Sequence, residues 1–115
     1  MSPIDGIIQF NDERHLYNFD PAAEYGMLLE ELQEFYIAYS QSNEDEMVDA
    51  LCDIIVVATG AINKLGYDPT KALNETVEEI SSRQGSFNES TGKWEKDLEQ
   101  DPSTLYEADY ENARK

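Results

Sequence analysis

The fold is decided by residues 43–66, which read NEDEMVDALCDIIVVATGAINKLG. Asn43 is a favourable helix cap, and Glu46 falls three residues later at the capping-box position. Apolar residues then recur along the segment, and Gly66 is the expected stop. The β-branched cluster at residues 54–57 is also compatible with a strand, but the length of the pattern and its two caps favour a helix. Because this helix is apolar over most of its circumference, the sequence predicts that subunit association helps to cover it.

Two further helices flank this segment. The dipeptide Asp20-Pro21 combines a cap with a proline at the first helical position and predicts a helix to about Ser40. Asp68-Pro69 repeats the signal and predicts a helix to about Ser82. The fold class is therefore predicted to be all-α, with an antiparallel helix pair joined at residues 41–43.

The ends of the chain carry weaker patterns. Residues 1–19 are interpreted as an irregular lead-in, in which Asn11 caps a short turn through Leu16. Residues 82–94 are rich in Ser, Gly and Asn and are interpreted as a polar, turn-rich loop.

A length of 115 residues predicts one domain. We assign residues 1–96 to it. Residues 97–115 form an acidic tail, which is either a short docked helix or a mobile end.

The chain carries 25 acidic residues against 8 basic ones, which gives a formal net charge of −17. This balance argues against direct binding of nucleic acid or of an anionic membrane surface, since both need clustered Lys and Arg. The most apolar uncharged stretch, residues 54–63, has about half the length of a spanning helix. With no signal peptide recognised, a cytoplasmic location is expected. Cys52 is the single cysteine and is expected to be a small, buried core residue.

Five carboxylates stand at helical spacing on the two central helices. Glu31 and Glu34 lie three residues apart on the first helix, whereas Asp49 and Asp53 lie four apart on the second. Glu46 lies three residues before Asp49. Antiparallel packing would bring these acids together, and a divalent cation would relieve their repulsion. Oxygen ligands without His or Cys point to Mg²⁺ or Mn²⁺. The same spacing is also compatible with solvated helix faces, and Glu46 with a capping role alone.

Several segments resemble those of a known family. Residues 31–38, ELQEFYIA, resemble the E-x-x-E-x-x-x-A helix of MazG-like nucleoside triphosphate pyrophosphatases, and residues 49–56, DALCDIIV, resemble their second acidic helix. Residues 60–69, GAINKLGYDP, look like the small phage and bacterial members, and parts of residues 82–96 are similar to their later substrate-side loop. The resemblance covers about residues 24–96.

This resemblance implies an all-α fold that forms dimers or tetramers and hydrolyses a nucleoside triphosphate to the monophosphate and pyrophosphate. The implied Mg²⁺ ligands and catalytic acids are Glu31, Glu34, Asp49 and Asp53. One position departs from the family, because the second motif is usually E-x-x-D and the residue three before Asp53 is Ala50. Either Asp49 supplies the missing carboxylate, or the motif is residues 46–49 and Asp53 is an additional acid. The first alternative keeps the family's spacing between the helices.

The resemblance also implies roles for the few bases and the single histidine. Arg83, Lys93 and Lys96 would contact substrate phosphates from the loop, with ordinary surface charge as the alternative. His15 would lie near the nucleotide base, with a surface position as its alternative.

Two functions without catalysis compete with this reading: an acidic protein that mimics DNA, and a helical interaction module that has lost activity. A mimic needs its acids on one exposed face, whereas Asp49 and Asp53 interrupt the most apolar helix. Their placement favours the enzyme, and the departure at Ala50 keeps the inactive module open.

Overall fold

The computed structural model describes residues 1–115 and is mostly helical. Its elements are α1 (Pro3–Glu13), α2 (Pro21–Ser40), α3 (Glu44–Lys64), α4 (Pro69–Ser81), β1 (Gly85–Asn88) and β2 (Lys93–Lys96), followed by 3₁₀ turns at Pro102–Thr104 and Tyr110–Ala113. The predicted all-α class is confirmed, and a single two-stranded sheet is added to it.

The predicted helix starts are confirmed by the capping contacts. The Asp20 side chain accepts hydrogen bonds from backbone N–H groups in the first turn of α2, and Asp68 does the same for α4. Asn43 accepts from the N–H of Glu46 at 3.2 Å. The predicted stop after α3 is also confirmed, since Gly66 takes the left-handed backbone conformation with φ of 92°.

The prediction of an irregular lead-in over residues 1–19 is wrong, because α1 occupies Pro3–Glu13. Ser2 caps this helix ahead of a proline, which is the same signal that starts α2 and α4. Asn11 does not cap a turn. It lies inside α1, is 4% exposed and donates from Nδ2 to the Ile7 carbonyl oxygen at 3.0 Å.

The prediction of a loop over residues 82–94 is also wrong, because most of it forms the antiparallel hairpin β1–β2. Phe87 pairs directly with Trp94 across the strands, and Gly92 has a φ of 70° in the turn. A cross-strand aromatic pair stabilises a hairpin even when the residues between its strands are polar.

Helices α2 and α3 form the most extensive contact in the chain. The buried and half-buried residues of α2 recur at intervals of three and four and define its side of the seam with α3; they are Glu24, Leu28, Glu31, Phe35 and Ala38. Ala38 and Ala50 are almost completely buried, so the two backbones approach closely near their connection. This packing fixes the position of each acidic side chain along the axis of the helix pair.

The other helices surround α3 unevenly. Helix α1 packs on α3 and touches α4, whereas α4 has only slight contact with α3 and none with α2. Gly60 of α3 allows α1 to approach, because a Cβ there would lie 3.2 Å from Nδ2 of Asn11.

The acidic tail is docked on α4. The backbone N–H of Ala108 donates to Glu79, the N–H of Asp109 donates to Glu75, and both distances are 2.9 Å. Ala113 is fully buried, and its carbonyl oxygen accepts from the N–H of Asp68 at 2.7 Å. The tail therefore contacts α4 both at its N-terminal end and further along the helix.

The single chain leaves much apolar surface exposed. A stripe along α2 is more than half exposed at most positions and comprises Tyr25, Leu29, Leu32 and Tyr36. Cys52 is exposed on α3, so the prediction of a buried core residue is wrong within one chain. None of the helices combines the length and the apolar character that crossing a membrane requires.

Candidate active site

Three of the predicted acids meet where α2 and α3 face each other. Carboxylate oxygens of Glu31, Glu34 and Asp53 all lie within 4.8 Å of one another. Glu31 is half-buried in the seam between the two helices, and Asp53 is half-buried on α3. Glu34 lies one turn after Glu31 on α2 and is exposed at the edge of the seam. The three side chains can therefore share one ion.

Glu31 has an unusual environment for a carboxylate. Its Oε2 atom is inaccessible to solvent and has no hydrogen-bond partner. Burial and the neighbouring Glu34 carboxylate raise the pKa of Glu31 to about 6. The charges of Asp53 and Asp49 act in the same direction. An orphaned, repelled oxygen is costly to keep unless a cation or a proton satisfies it.

No base of the chain neutralises this cluster. The ion pairs are Lys64 with Glu24, Arg83 with Glu79 and Arg114 with Glu111. The donor set consists of carboxylate oxygens alone, with no His or Cys among them. The residues therefore fit a hard divalent cation such as Mg²⁺ or Mn²⁺.

Asp49 and Glu46 stand at the open end of the same seam. Together with Glu34 they line a cleft of about 160 Å³ between α2 and α3. Asp49 is exposed and lies outside the set of three, although its charge reaches Glu31. The reciprocal capping bond expected of Glu46 does not form, because the Asn43 N–H donates to the Ala38 carbonyl oxygen. The Glu46 carboxylate is thus available to the cleft.

The predicted substrate-binding residues lie apart from the acids within one chain. The hairpin carries Lys93 and Lys96 and packs on no helix. Arg83 lies at its base, where it contacts Glu79 at 3.4 Å and shares with Lys96 a pocket of about 270 Å³. His15 follows α1 at a φ of 54° and is exposed.

Sequence reasoning missed a buried ion pair in the same seam. Lys64 Nζ lies 2.6 Å from Oε1 of Glu24, and both side chains are almost completely buried. Oε2 of Glu24 has no partner. Glu24 precedes Glu31 by seven residues, or two helical turns, and this spacing was the available signal that both face α3.

This arrangement of helices and acids is that of a MazG-like all-α pyrophosphatase, as the resemblance implied. A family model described as phosphoribosyl-ATP pyrophosphohydrolase (PRA-PH), of the same superfamily, matches residues 11–80, and the chain belongs to this family. The match includes the three clustered acids and also Glu46 and Asp49, and it ends before the hairpin. Membership indicates a pyrophosphohydrolase, an enzyme that hydrolyses an acid anhydride of a nucleotide. No curated protein and no solved structure matches the chain.

Proposed function

We propose that the protein hydrolyses a nucleoside triphosphate or deoxynucleoside triphosphate to the monophosphate and pyrophosphate, with Mg²⁺ as its cofactor. The observation that carries the proposal is the meeting of Glu31, Glu34 and Asp53, one of which, Glu31, has a buried carboxylate oxygen without a partner in the protein. Family membership supports the reaction class.

The acids divide into two groups by position. Glu31, Glu34 and Asp53 would hold Mg²⁺, and Asp49, at the cleft, would serve as the fourth carboxylate in place of the family's usual glutamate at Ala50. Glu46 would face the same cleft as a further ligand. The bound metal would offset phosphate charge and lower the pKa of water.

The chemistry is an in-line displacement at the α-phosphorus. A bond forms between a water oxygen and that phosphorus, and the bond from phosphorus to the bridging oxygen breaks to release pyrophosphate. An exposed carboxylate such as Asp49 would accept the proton that the water loses.

The remaining assignments complete the proposal. Arg83, Lys93 and Lys96 would contact phosphates, and His15 would lie near the base. The exposed apolar stripe supports a dimer or tetramer, because subunit contacts would bury it. The nucleotide pool that such an enzyme would use is cytoplasmic, and we place the protein there without nucleic acid or membrane as partners.

The test is a panel of ribo- and deoxynucleoside triphosphates, extended with phosphoribosyl-ATP, assayed for monophosphate and pyrophosphate with Mg²⁺, with Mn²⁺ and with EDTA. Asp53→Asn should lower metal-dependent turnover at least about 100-fold. Glu30→Gln is the matched control, since Glu30 is an exposed acid of the same helix pair outside the cluster. Absence of turnover on every compound, or equal turnover in EDTA, would refute the proposed function.

A further inference from the structure

An apolar groove lies between the end of α3, the first half of α4 and the tail. Its volume is about 360 Å³, and all but one of the residues that line it are apolar or aromatic. This volume falls within the roughly 300–1,000 Å³ of pockets that bury a ligand. The walls include Ile62 and Leu65 of α3, Leu73 of α4 and Tyr110 of the tail.

The groove carries a pair of hydroxyl groups that can only accept a further hydrogen bond. Thr76 donates its one hydroxyl proton to the Ala72 carbonyl oxygen at 3.1 Å. Its Oγ1 atom lies 2.9 Å from Oη of Tyr110, so the Tyr110 hydroxyl is the donor of that bond. Both protons are thus used, while lone pairs remain on both oxygens. An occupant that fits the groove is apolar and brings a hydrogen-bond donor.

The β1–β2 hairpin presents an aromatic face with this chemistry, formed by Phe87 and Trp94. Side chains alternate along each strand, and the register pairs these two residues, so both project to the same side. Gly85 leaves room for the indole, since a Cβ there would lie 2.7 Å from Nε1 of Trp94. Phe87 and Trp94 are 60% and 59% exposed. The indole N–H is a donor only, and it needs an acceptor when the ring is buried.

The hairpin does not fill the groove of its own chain, because it packs on no helix. Its base is held by Gln100, whose side chain accepts from the N–H of Gln84 at 2.7 Å and donates to the Ser82 carbonyl oxygen at 2.8 Å. These bonds tie the hairpin to the end of α4, whereas the groove lies along the first half of that helix. An isolated two-stranded hairpin is only marginally stable in water, so a covering surface would stabilise it.

Charge favours a second copy of the chain as the source of that surface. Residues 83–96, which contain the hairpin, carry three bases and two acids, although the whole chain has a net charge of −17. Asp109 and Glu111 flank Tyr110 of the groove. Two copies repel each other over most of their surfaces, but the hairpin of one is attracted to the groove of the other.

We propose that the aromatic face of one copy inserts into the apolar groove of a second copy, where the indole N–H of Trp94 donates to the Thr76–Tyr110 hydroxyl pair. In a two-fold dimer this contact occurs twice. The groove begins at Ile62, nine residues after Asp53, or about 13 Å along α3, so the contact lies away from the acid cleft.

This contact goes beyond the proposed function and is separate from the exposed stripe on α2. Phe87, Trp94 and Tyr110 all lie outside residues 11–80, which match the family. The docking is therefore a property of the segments that this chain adds to the family's helices.

The fluorescence of Trp94, the single tryptophan, reports the contact directly. Its emission in the associated wild type should be blue-shifted and poorly quenched by acrylamide, and both properties should revert on dilution. Leu73→Lys places a charge in the groove and should raise the dissociation constant measured from this emission at least about tenfold. Leu65→Lys, on the α3 wall, should act in the same way. Asn74→Lys adds the charge at an exposed position of α4 outside the groove and should change nothing.

Mixing two variants tests whether the contact joins different chains. Leu73→Lys keeps the aromatic face and blocks the groove, whereas Phe87→Ser/Trp94→Ser keeps the groove and contains no tryptophan. An excess of the second variant should restore blue-shifted emission to the first. The same double variant with Leu73→Lys added is the matched control and should not restore it. Circular dichroism establishes that each variant keeps its helices.

Several outcomes would overturn the proposal. They are an exposed indole in the wild type at every concentration, protection of Trp94 that survives both groove variants, absence of restoration on mixing, and equal restoration by the control. Because the measurement is emission and not turnover, a failure of the docking is distinguishable from a failure of the proposed function.

Discussion

Glu31 places a carboxylate in a packed helix seam, where its Oε2 atom has no partner. Its pKa is raised to about 6, so the folded protein holds this proton more tightly than the unfolded chain does. Without metal, this group stabilises the fold less as pH rises from the ordinary value of 4.5 through 6. Occupation of the site by a cation should reverse that loss.

We therefore expect Glu31→Gln to raise the melting temperature in EDTA at pH 7.5 by a few degrees while lowering metal-dependent turnover at least about 100-fold. The variant should also flatten the decline of metal-free melting temperature between pH 4.5 and 7. Scanning fluorimetry across this pH range, with Glu30→Gln alongside, measures both effects. A lower melting temperature for the Glu31 variant at pH 7.5 would contradict the argument.

The Glu24–Lys64 pair poses a different problem, because each charge is buried and depends on the other. Lys64→Met leaves the Glu24 carboxylate buried without a cation and should cost about 3–5 kcal/mol of unfolding free energy. The double variant Glu24→Leu/Lys64→Met removes both charges and should recover most of that loss. Urea unfolding of these two variants and of Glu24→Leu at pH 7 measures the coupling, and losses of the single variants that add up in the double variant would show that the pair is not coupled.

Two glycines of the central helices differ in what their backbones require. Gly66 ends α3 with φ of 92°, which an alanine adopts only with strain, whereas Gly26 lies within α2 with open space around its missing side chain. Gly66→Ala should destabilise the protein by about 1 kcal/mol. Gly26→Ala should stabilise it by about 0.5–1 kcal/mol, since alanine favours a helix. Denaturant midpoints compare the two directly, and equal effects would contradict the assignment of the helix end.

The docked tail depends on an ionised carboxylate. Glu75 accepts hydrogen bonds from the Tyr106 hydroxyl and the Asp109 N–H, and these bonds lower the pKa of Glu75. The stabilisation is therefore present above the ordinary pKa of 4.5 and is lost as pH falls below it. Hydrogen exchange over residues 105–113 should rise, relative to α3, as the pH is lowered.

Tyr106→Phe removes one of those bonds and should move the release of the tail to higher pH. Tyr39→Phe, at an exposed tyrosine on α2, is the control. Identical exchange profiles for the two variants would show that the Glu75 contact does not hold the tail.

The elements that the sequence predicts well are those with local signals at both ends. Asp20, Asn43 and Asp68 act within one turn of their own position, so their caps can be identified without knowledge of the fold. Helix α1 carries such a signal at Ser2, but its apolar face is too short for the pattern of residues 1–19 to indicate a helix. The hairpin depends on Phe87 meeting Trp94 across the turn, a contact that no local pattern encodes.

The same distinction applies to the acid cluster. The spacing of Glu31 and Glu34 follows from one helix, whereas their approach to Asp53 depends on the position of α2 relative to α3 along the helix axis. The separation of Arg83 and Lys96 from the acids follows from the weak contact between α3 and α4, which the sequence does not reveal. The exposure of Cys52 likewise depends on surfaces that a single chain leaves open.

The molecule is less compact than a globular chain of its length usually is. Its radius of gyration is 17.3 Å, against about 13 Å for a compact chain of this size. Its accessible surface is 8446 Å², which exceeds the expectation of about 6,400 Å² by about 2,000 Å². An excess of about this size per chain is what an obligate interface buries.

The exposed stripe on α2 is the surface that we propose for such an interface. Leu32 is 54% exposed in this stripe, whereas Glu34, two residues later, projects to the opposite side of the helix. Association through the stripe would therefore leave the acid cleft open to substrate. Each leucine buried in the contact is worth about 1.5–3 kcal/mol, and a two-fold interface contains it twice.

Leu32→Glu should therefore raise the dissociation constant of the oligomer at least about tenfold. Ala23→Glu adds the same charge on another side of α2 and should leave association unchanged. Sedimentation equilibrium across a range of concentrations measures both, with circular dichroism to establish that the helices persist. A Leu32→Glu protein that associates as tightly as the wild type would place the interface elsewhere.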